Sequence, residues 1–132
     1  MDKLEYIPGD LVMVKESALQ FAKDKIFKVI SSLSGGFLKV VMLNDSSTTY
    51  SISNNAIRPI PLTPEILEKN GWRKEEENYF NDSYHIFLEN EYERYSAFKV
   101  VHNNVVWLRD VRSVSNLQHL LFGLGLNSEM EV

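Results

Sequence analysis

Leu62-Thr63-Pro64-Glu65-Ile66-Leu67-Glu68-Lys69-Asn70-Gly71-Trp72 carries both a start signal and a stop signal for one short helix, and that helix divides the chain in two. Thr63 is an N-cap by residue type. Pro64 follows at the first helical position, where its missing N–H is harmless, and Glu65 sets negative charge against the positive helix end. Leu62 is placed to pack on Leu67 as a hydrophobic staple. Gly71 supplies the left-handed residue that ends a helix, and Trp72 just beyond it folds back toward Leu67 as in a Schellman closure. Before this helix the pattern reads as strand; after it, strands lead to a second helix.

Working back from Leu62, five short strands are expected. Gly9-Asp10 opens the apolar run Leu11-Val12-Met13-Val14, and Ser17 to Asp24 reads as a structured loop. Ile26-Phe27-Lys28-Val29-Ile30 and Phe37-Leu38-Lys39-Val40-Val41-Met42-Leu43 are β-branched and aromatic, joined by the turn signal Ser34-Gly35-Gly36. Asn44-Asp45-Ser46-Ser47 reads as a turn before a short strand Tyr50 to Ser53, and Asn54-Asn55-Ala56 as a tight turn. Ile57-Arg58-Pro59-Ile60 is the fifth strand, held to an edge because Pro59 has no N–H for a ladder. This layout resembles a small SH3-like barrel over roughly residues 6–61. Gly9-Asp10-x-Val12-x-Val14 and Ile57-Arg58-Pro59-Ile60 look like its KOW and Tudor-like branch. The resemblance implies a five-stranded β-barrel and, by itself, no particular ligand.

Working forward from Trp72, Arg73 to Asn78 reads as a strand end entering a solvated loop. Tyr84 to Leu88 has strand composition, Glu89 to Arg94 reads as a linker, and Tyr95 to Val101 is a further strand. His102-Asn103-Asn104 is a hairpin turn into Val105-Val106-Trp107-Leu108, since Asn tolerates positive φ. Ser115 with Gln118 reads as a capping box. Val114, Leu117, Leu120, Leu121 and Leu124 form the apolar face of the last helix, and Gly125 its stop. The expected fold is therefore α+β: an SH3-like barrel over 1–61, then a lobe over 62–132. In that lobe two helices cover one face of three or four antiparallel strands, and Leu62, Leu67 and Trp72 dock it on the barrel.

The run from Ile57 through Pro64-Glu65 to Gly71-Trp72, together with Val114, Leu117 and Gln118, resembles a family of small uncharacterised bacterial and prophage-encoded proteins. Ser115 and Asn116 depart from that family's Val-His-Gln-Leu-Gln-Asn-like helix, so a role built on its histidine does not carry over. The resemblance implies a mobile-element setting and no known activity.

Composition narrows the function classes. The 132 residues are 44% hydrophobic and 24% charged, with no cysteine, which removes disulfides, thiol nucleophiles and cysteine metal sites. Met1 to Asp10 lacks a signal-peptide pattern and Leu120 to Leu126 is too short to span a bilayer, so a cytoplasmic protein without membrane contact is expected. The net charge of −4 is uneven: residues 1–62 hold seven Lys/Arg against six Asp/Glu, and residues 63–132 hold seven against twelve. A polyanion would have to meet the first half.

His85, His102 and His119 lack metal-ligand spacing, the runs Glu75 to Glu77 and Glu89 to Glu93 read as solvated faces, and no serine sits in a nucleophile elbow. Neither a cofactor nor catalysis is expected. The residue pattern points to a non-catalytic binding or adaptor protein working through another protein. The alternative is nucleic-acid binding, with Lys15, Lys23, Lys25, Lys28, Lys39 and Arg58 on phosphates and Tyr6, Phe21, Phe27 or Tyr50 stacking on bases. Against that alternative, a barrel of about sixty residues needs its rings first for its core. Trp72 and Trp107 are expected in a core shared by the two lobes.

Overall fold

A computed structural model of the chain describes residues 6–14, 25–92 and 94–132, with only the backbone of Ser46. The expected loop Ser17 to Asp24, and with it Lys15, Phe21 and Lys23, lies outside the described residues. Two units, Met1–Ile60 and Pro61–Val132, divide the chain.

The first unit is an antiparallel sheet of β1 (Leu11–Val14), β2 (Ile26–Leu33), β3 (Phe37–Met42), β4 (Asp45–Ser53) and β5 (Ile57–Pro59), in the order β4-β3-β2-β1-β5. Alternation sends Val12, Val14, Phe27, Val29, Leu38, Val40, Ile52 and Ile57 to one face, where they form a core with Tyr6. Pro59 lies on an edge as its missing donor requires. The expected barrel is not formed: β4 and β5 occupy opposite edges and the sheet stays open. β5 has only three residues, one of them without an N–H, and its ladder bonds go to β1. The strand β4 is longer than expected. The turn reduces to Leu43-Asn44, and the hydroxyl-rich run after it is held in the strand, Asp45 Oδ1 accepting from the Ser47 backbone N–H and hydroxyl.

In the second unit α1 (Pro64–Lys69) follows its sequence signals closely. Thr63 Oγ1 accepts from the Ile66 N–H at 3.3 Å. At the other end Trp72 N–H donates to Leu67 O at 3.0 Å and Gly71 N–H to Glu68 O at 3.1 Å, with Gly71 at φ +86°, which is the Schellman pair of bonds. α2 (Val114–Gly123) ends the same way, Leu126 N–H reaching Leu121 O and Gly125 N–H reaching Phe122 O. Its cap differs from expectation. Ser113, not Ser115, accepts from the Asn116 N–H, and Ser115 is buried within the first turn beside the Ser113 hydroxyl.

Between the helices run five strands where three or four were expected: β6 (Arg73–Glu75), β7 (Asn78–Asn81), β8 (Ile86–Glu91), β9 (Arg94–Val101) and β10 (Asn104–Val111), an antiparallel meander in sequence order. The two charged segments read as loop and linker are hairpins. Glu76 at φ +57° turns the first, and β8 continues to Glu91 before the second. His102 and Asn103, at φ +48° and +67°, form the hairpin turn expected of them.

One face of this sheet is inner: Tyr79, Leu88 and Ala97 lie in register, all buried, with Ile86 and Val111. α2 contacts β10, and Glu68 and Glu65 of α1 act on the Tyr79 hydroxyl. Burial, reinforced by these two carboxylates, pushes the Tyr79 phenol above its ordinary 10.0. Burial likewise raises Tyr95, edge-to-face with Tyr79 at 6.1 Å, and Tyr6 in the first unit. A raised folded pKa means that the stabilisation is complete below the unfolded value and is lost as pH rises through the folded values. The protein is therefore expected to hold its stability to about pH 10 and then unfold as these phenols ionise. Phenolate absorbance and circular dichroism should change together; a full tyrosine titration with unchanged structure would contradict this.

Candidate binding surface

The outer face of the second sheet carries a row that crosses every strand. Cross-strand register aligns Arg73 with Phe80, Phe80 with Phe87, Phe87 with Phe98 and Phe98 with Trp107. Because neighbouring strands stand about 4.8 Å apart, side chains in register on one face stack. Phe80 and Phe87 do so at 5.4 Å and 27°, Phe87 and Phe98 at 5.0 Å and 18°. The Arg73 guanidinium closes one end, 5.0 Å over the Phe80 ring. Trp107 closes the other end on the edge strand and is 57% exposed, which corrects its expected place in a core; Trp72, at 4%, is buried.

Arg73 is fixed by carboxylates. It meets Asp82 through two nitrogens at 3.0 and 3.2 Å and Glu75 through a third at 2.6 Å. The Asp82 bonds, then the Glu75 bond, hold its guanidinium above the ordinary arginine range, and Arg73 in turn holds the Asp82 carboxyl below the usual carboxylate value.

Two residues along each strand from the rings runs a polar row: Glu75 beside Asn78, then Glu89, Ser96 and Asp110 in register. A bulge at Leu108 keeps both Trp107 and Asp110 on this face despite their odd spacing. Arg94 lies 3.3 Å from Glu91 and 3.4 Å from Asp110, while among the described residues Glu89 is exposed and has no ion-pair partner. On the other side of the rings lie Val100 and Val105, 40% and 56% exposed and paired with each other. Away from the Arg73–Asp82 pair at its end, the face thus grades from apolar through aromatic to acidic.

The residues assigned to nucleic acid fare unequally. Lys28 and Lys39 are exposed and, with Arg58, project from the face of the first sheet opposite its core, as alternation with Phe27, Leu38 and Ile57 dictates. Lys25 lies just before β2, beside a cavity of about 330 Å³ that Ile26, Met42, Leu43 and Asn44 also line. Phe27 and Tyr6, 0% and 6% exposed, are core residues whose rings have no free face for a base. Tyr50 is half-buried, set edge-on to Phe27 at 6.0 Å. Three of the cations, Lys28, Lys39 and Arg58, share a face; the described rings meant to accompany them do not join it.

Comparison with family models, curated proteins and solved structures finds no match for this chain. No helix among the described residues is long and apolar enough to cross a membrane, and no group of three or more His, Asp or Glu is placed there to hold a metal.

The aromatic row was not foreseen from the sequence, yet a signal for it exists. Phe98 and Trp107 stand at equal distance from the His102-Asn103 turn, and Phe87 and Phe98 each four residues from the paired Glu91 and Arg94. Residues equidistant from a two-residue turn become cross-strand neighbours.

Proposed function

We propose that the chain is a non-catalytic binding protein that acts through protein contacts, and that the outer face of the second sheet is its contact surface. The observation that carries this reading is the ring row, with a tryptophan more than half exposed at its end. Aromatic residues and arginine are the side chains that dominate protein interfaces, and a surface of this kind is costly to leave in water without a use. The carboxylates beside the rings speak against a phosphate backbone on this face. The phenylalanine faces are already engaged with one another, which leaves nothing for a base to slide between.

The test is affinity capture with the whole chain as bait. Trp107→Ala is expected to lose at least about tenfold of the recovered partner, the effect of one hot-spot residue, while thermal unfolding stays where it was. Equal recovery by both baits would overturn the reading.

A second reading rests on Lys28, Lys39 and Arg58 sharing one face of the first sheet. Asp10 and Asp45 are the only carboxylates among the described residues of that unit. The strand order β4-β3-β2-β1-β5 supports an SH3-like lineage, in which nucleic-acid binding is one of several uses. The resemblance of Ile57 to Trp72 and of Val114, Leu117 and Gln118 to a family of bacterial and prophage-encoded proteins supports a mobile-element setting.

A further inference from the structure

We infer that the partner segment is a cationic amphipathic helix lying across the strands, its apolar stripe on the rings and its basic flank on the acidic row. This rests on the reading of the face as a protein contact surface and adds the chemistry of what it takes.

Dimensions favour a helix. The row crosses five strands, about 19 Å at about 4.8 Å per step, which is the length of about 13 helical residues. The ring spacings of 5.4 and 5.0 Å are close to one helical turn of about 5.4 Å, so apolar residues recurring once per turn would each find a ring. The inner face of the same sheet already takes α2 against β10, which makes a helix on the outer face a third layer of the same kind.

Charge decides the flank. Around the rings Arg73 and Arg94 are both engaged by carboxylates, and Glu75, Asp82, Glu89, Glu91 and Asp110 outnumber them. Glu89, at the middle strand of the row, is exposed and unpaired among the described residues, so a lysine or arginine arriving there finds an unclaimed carboxylate. Phosphate-bearing polymers and anionic lipid surfaces would be repelled by the same row. A second copy meeting this face with its own fits poorly, because it brings an identical acidic row.

The experiment titrates the whole chain with a 14-residue leucine–lysine peptide of helical period, a leucine–glutamate peptide of the same pattern, and the leucine–lysine composition with its period scrambled, peptide lengths chosen to span about five strands. Tryptophan emission reports the face, because Trp107 is exposed and Trp72 is buried; Trp107→Phe identifies the responding indole. The periodic leucine–lysine peptide is expected to shift Trp107 emission to the blue and to bind at least tenfold more tightly than the other two. Glu89→Lys, an exposed change, should weaken it severalfold, as should added salt. Equal binding of the acidic peptide, or indifference to Glu89→Lys, would overturn the cationic assignment and leave the contact surface standing. Silence of Trp107 toward every peptide would overturn the helical occupant, while the contact surface itself stands or falls by the capture experiment. A Trp107 shift produced by an oligonucleotide added without peptide, or by self-association alone, would overturn the inference in favour of those occupants.

Discussion

Trp72→Ala is expected to destabilise the second unit by about 3–5 kcal/mol, as truncation of a large buried aromatic does. The indole is 4% exposed, and it is the residue that completes the closure of α1 through its N–H to Leu67 O. Leu67, the one buried residue of that six-residue helix, is wholly inaccessible. A helix so short has almost no stability of its own, so its position depends on these two anchors. Removing the indole opens a cavity and loosens the end of α1 from the strand that follows, while the backbone bonds of the closure can still form. Urea unfolding followed by circular dichroism should show the midpoint fall; a change below about 1 kcal/mol would mean that the site collapses around the smaller residue or that Trp72 is not packed as described.

Phe27→Ala should cost the first unit a similar amount, about 3–5 kcal/mol. Phe27 is fully buried on the central strand β2, in register with Val12 on one side and Met42 on the other, and takes the edge of Tyr50 at 6.0 Å. Among the described residues of the open sheet's core cluster, this ring is the largest fully buried side chain. Small units bury little surface in total, so one such ring is a large share of their stability. The same variant separates two roles that the sequence left side by side. If Phe27 served a nucleobase, alanine would lower affinity for single strands with folding intact; as a core residue it lowers the unfolding midpoint.

Much of the fold could be read where a local signal and the final structure agree. Thr63, Pro64, Gly71 and Trp72 bound α1 because caps and closures are made by the residues themselves, with little help from tertiary context. His102 and Asn103 turn β9 into β10 because positive φ is a local demand. The failures share a different cause. Asp45 to Thr49 is a strand of hydroxyl and acidic residues whose place in β4 comes from pairing with β3, which composition does not announce. The charged ends of β6, β8 and β9 are strand in which Arg73, Glu75, Glu89, Glu91 and Arg94 lie on the outer side of the sheet. With the apolar members sparse at those ends, alternation was too short to detect. In Tyr79-Phe80 and Ile86-Phe87-Leu88 both faces are apolar, so the period-two signal vanishes just where the sheet has an aromatic outer side. The ring row itself is a property of register across five strands, and register is set by turns and bulges such as that at Leu108.

The candidate residues follow the same division. Lysines and arginine on strands alternate with core residues, so the gathering of Lys28, Lys39 and Arg58 on one face follows from strand parity. Whether a ring such as Phe27 is buried or displayed depends on which face holds the core, and a strand flanked by polar residues on both sides does not reveal it.

Photo-cross-linking from the outer face puts the central claim to the most direct test. A benzoylphenylalanine replacing Trp107, and in a separate protein Lys28, would be irradiated in the cell from which the chain comes. A protein contact surface on the second sheet predicts a discrete adduct from position 107 that is sensitive to protease and resistant to nuclease, with none from position 28. A nuclease-sensitive adduct from position 28 and none from position 107 would contradict it.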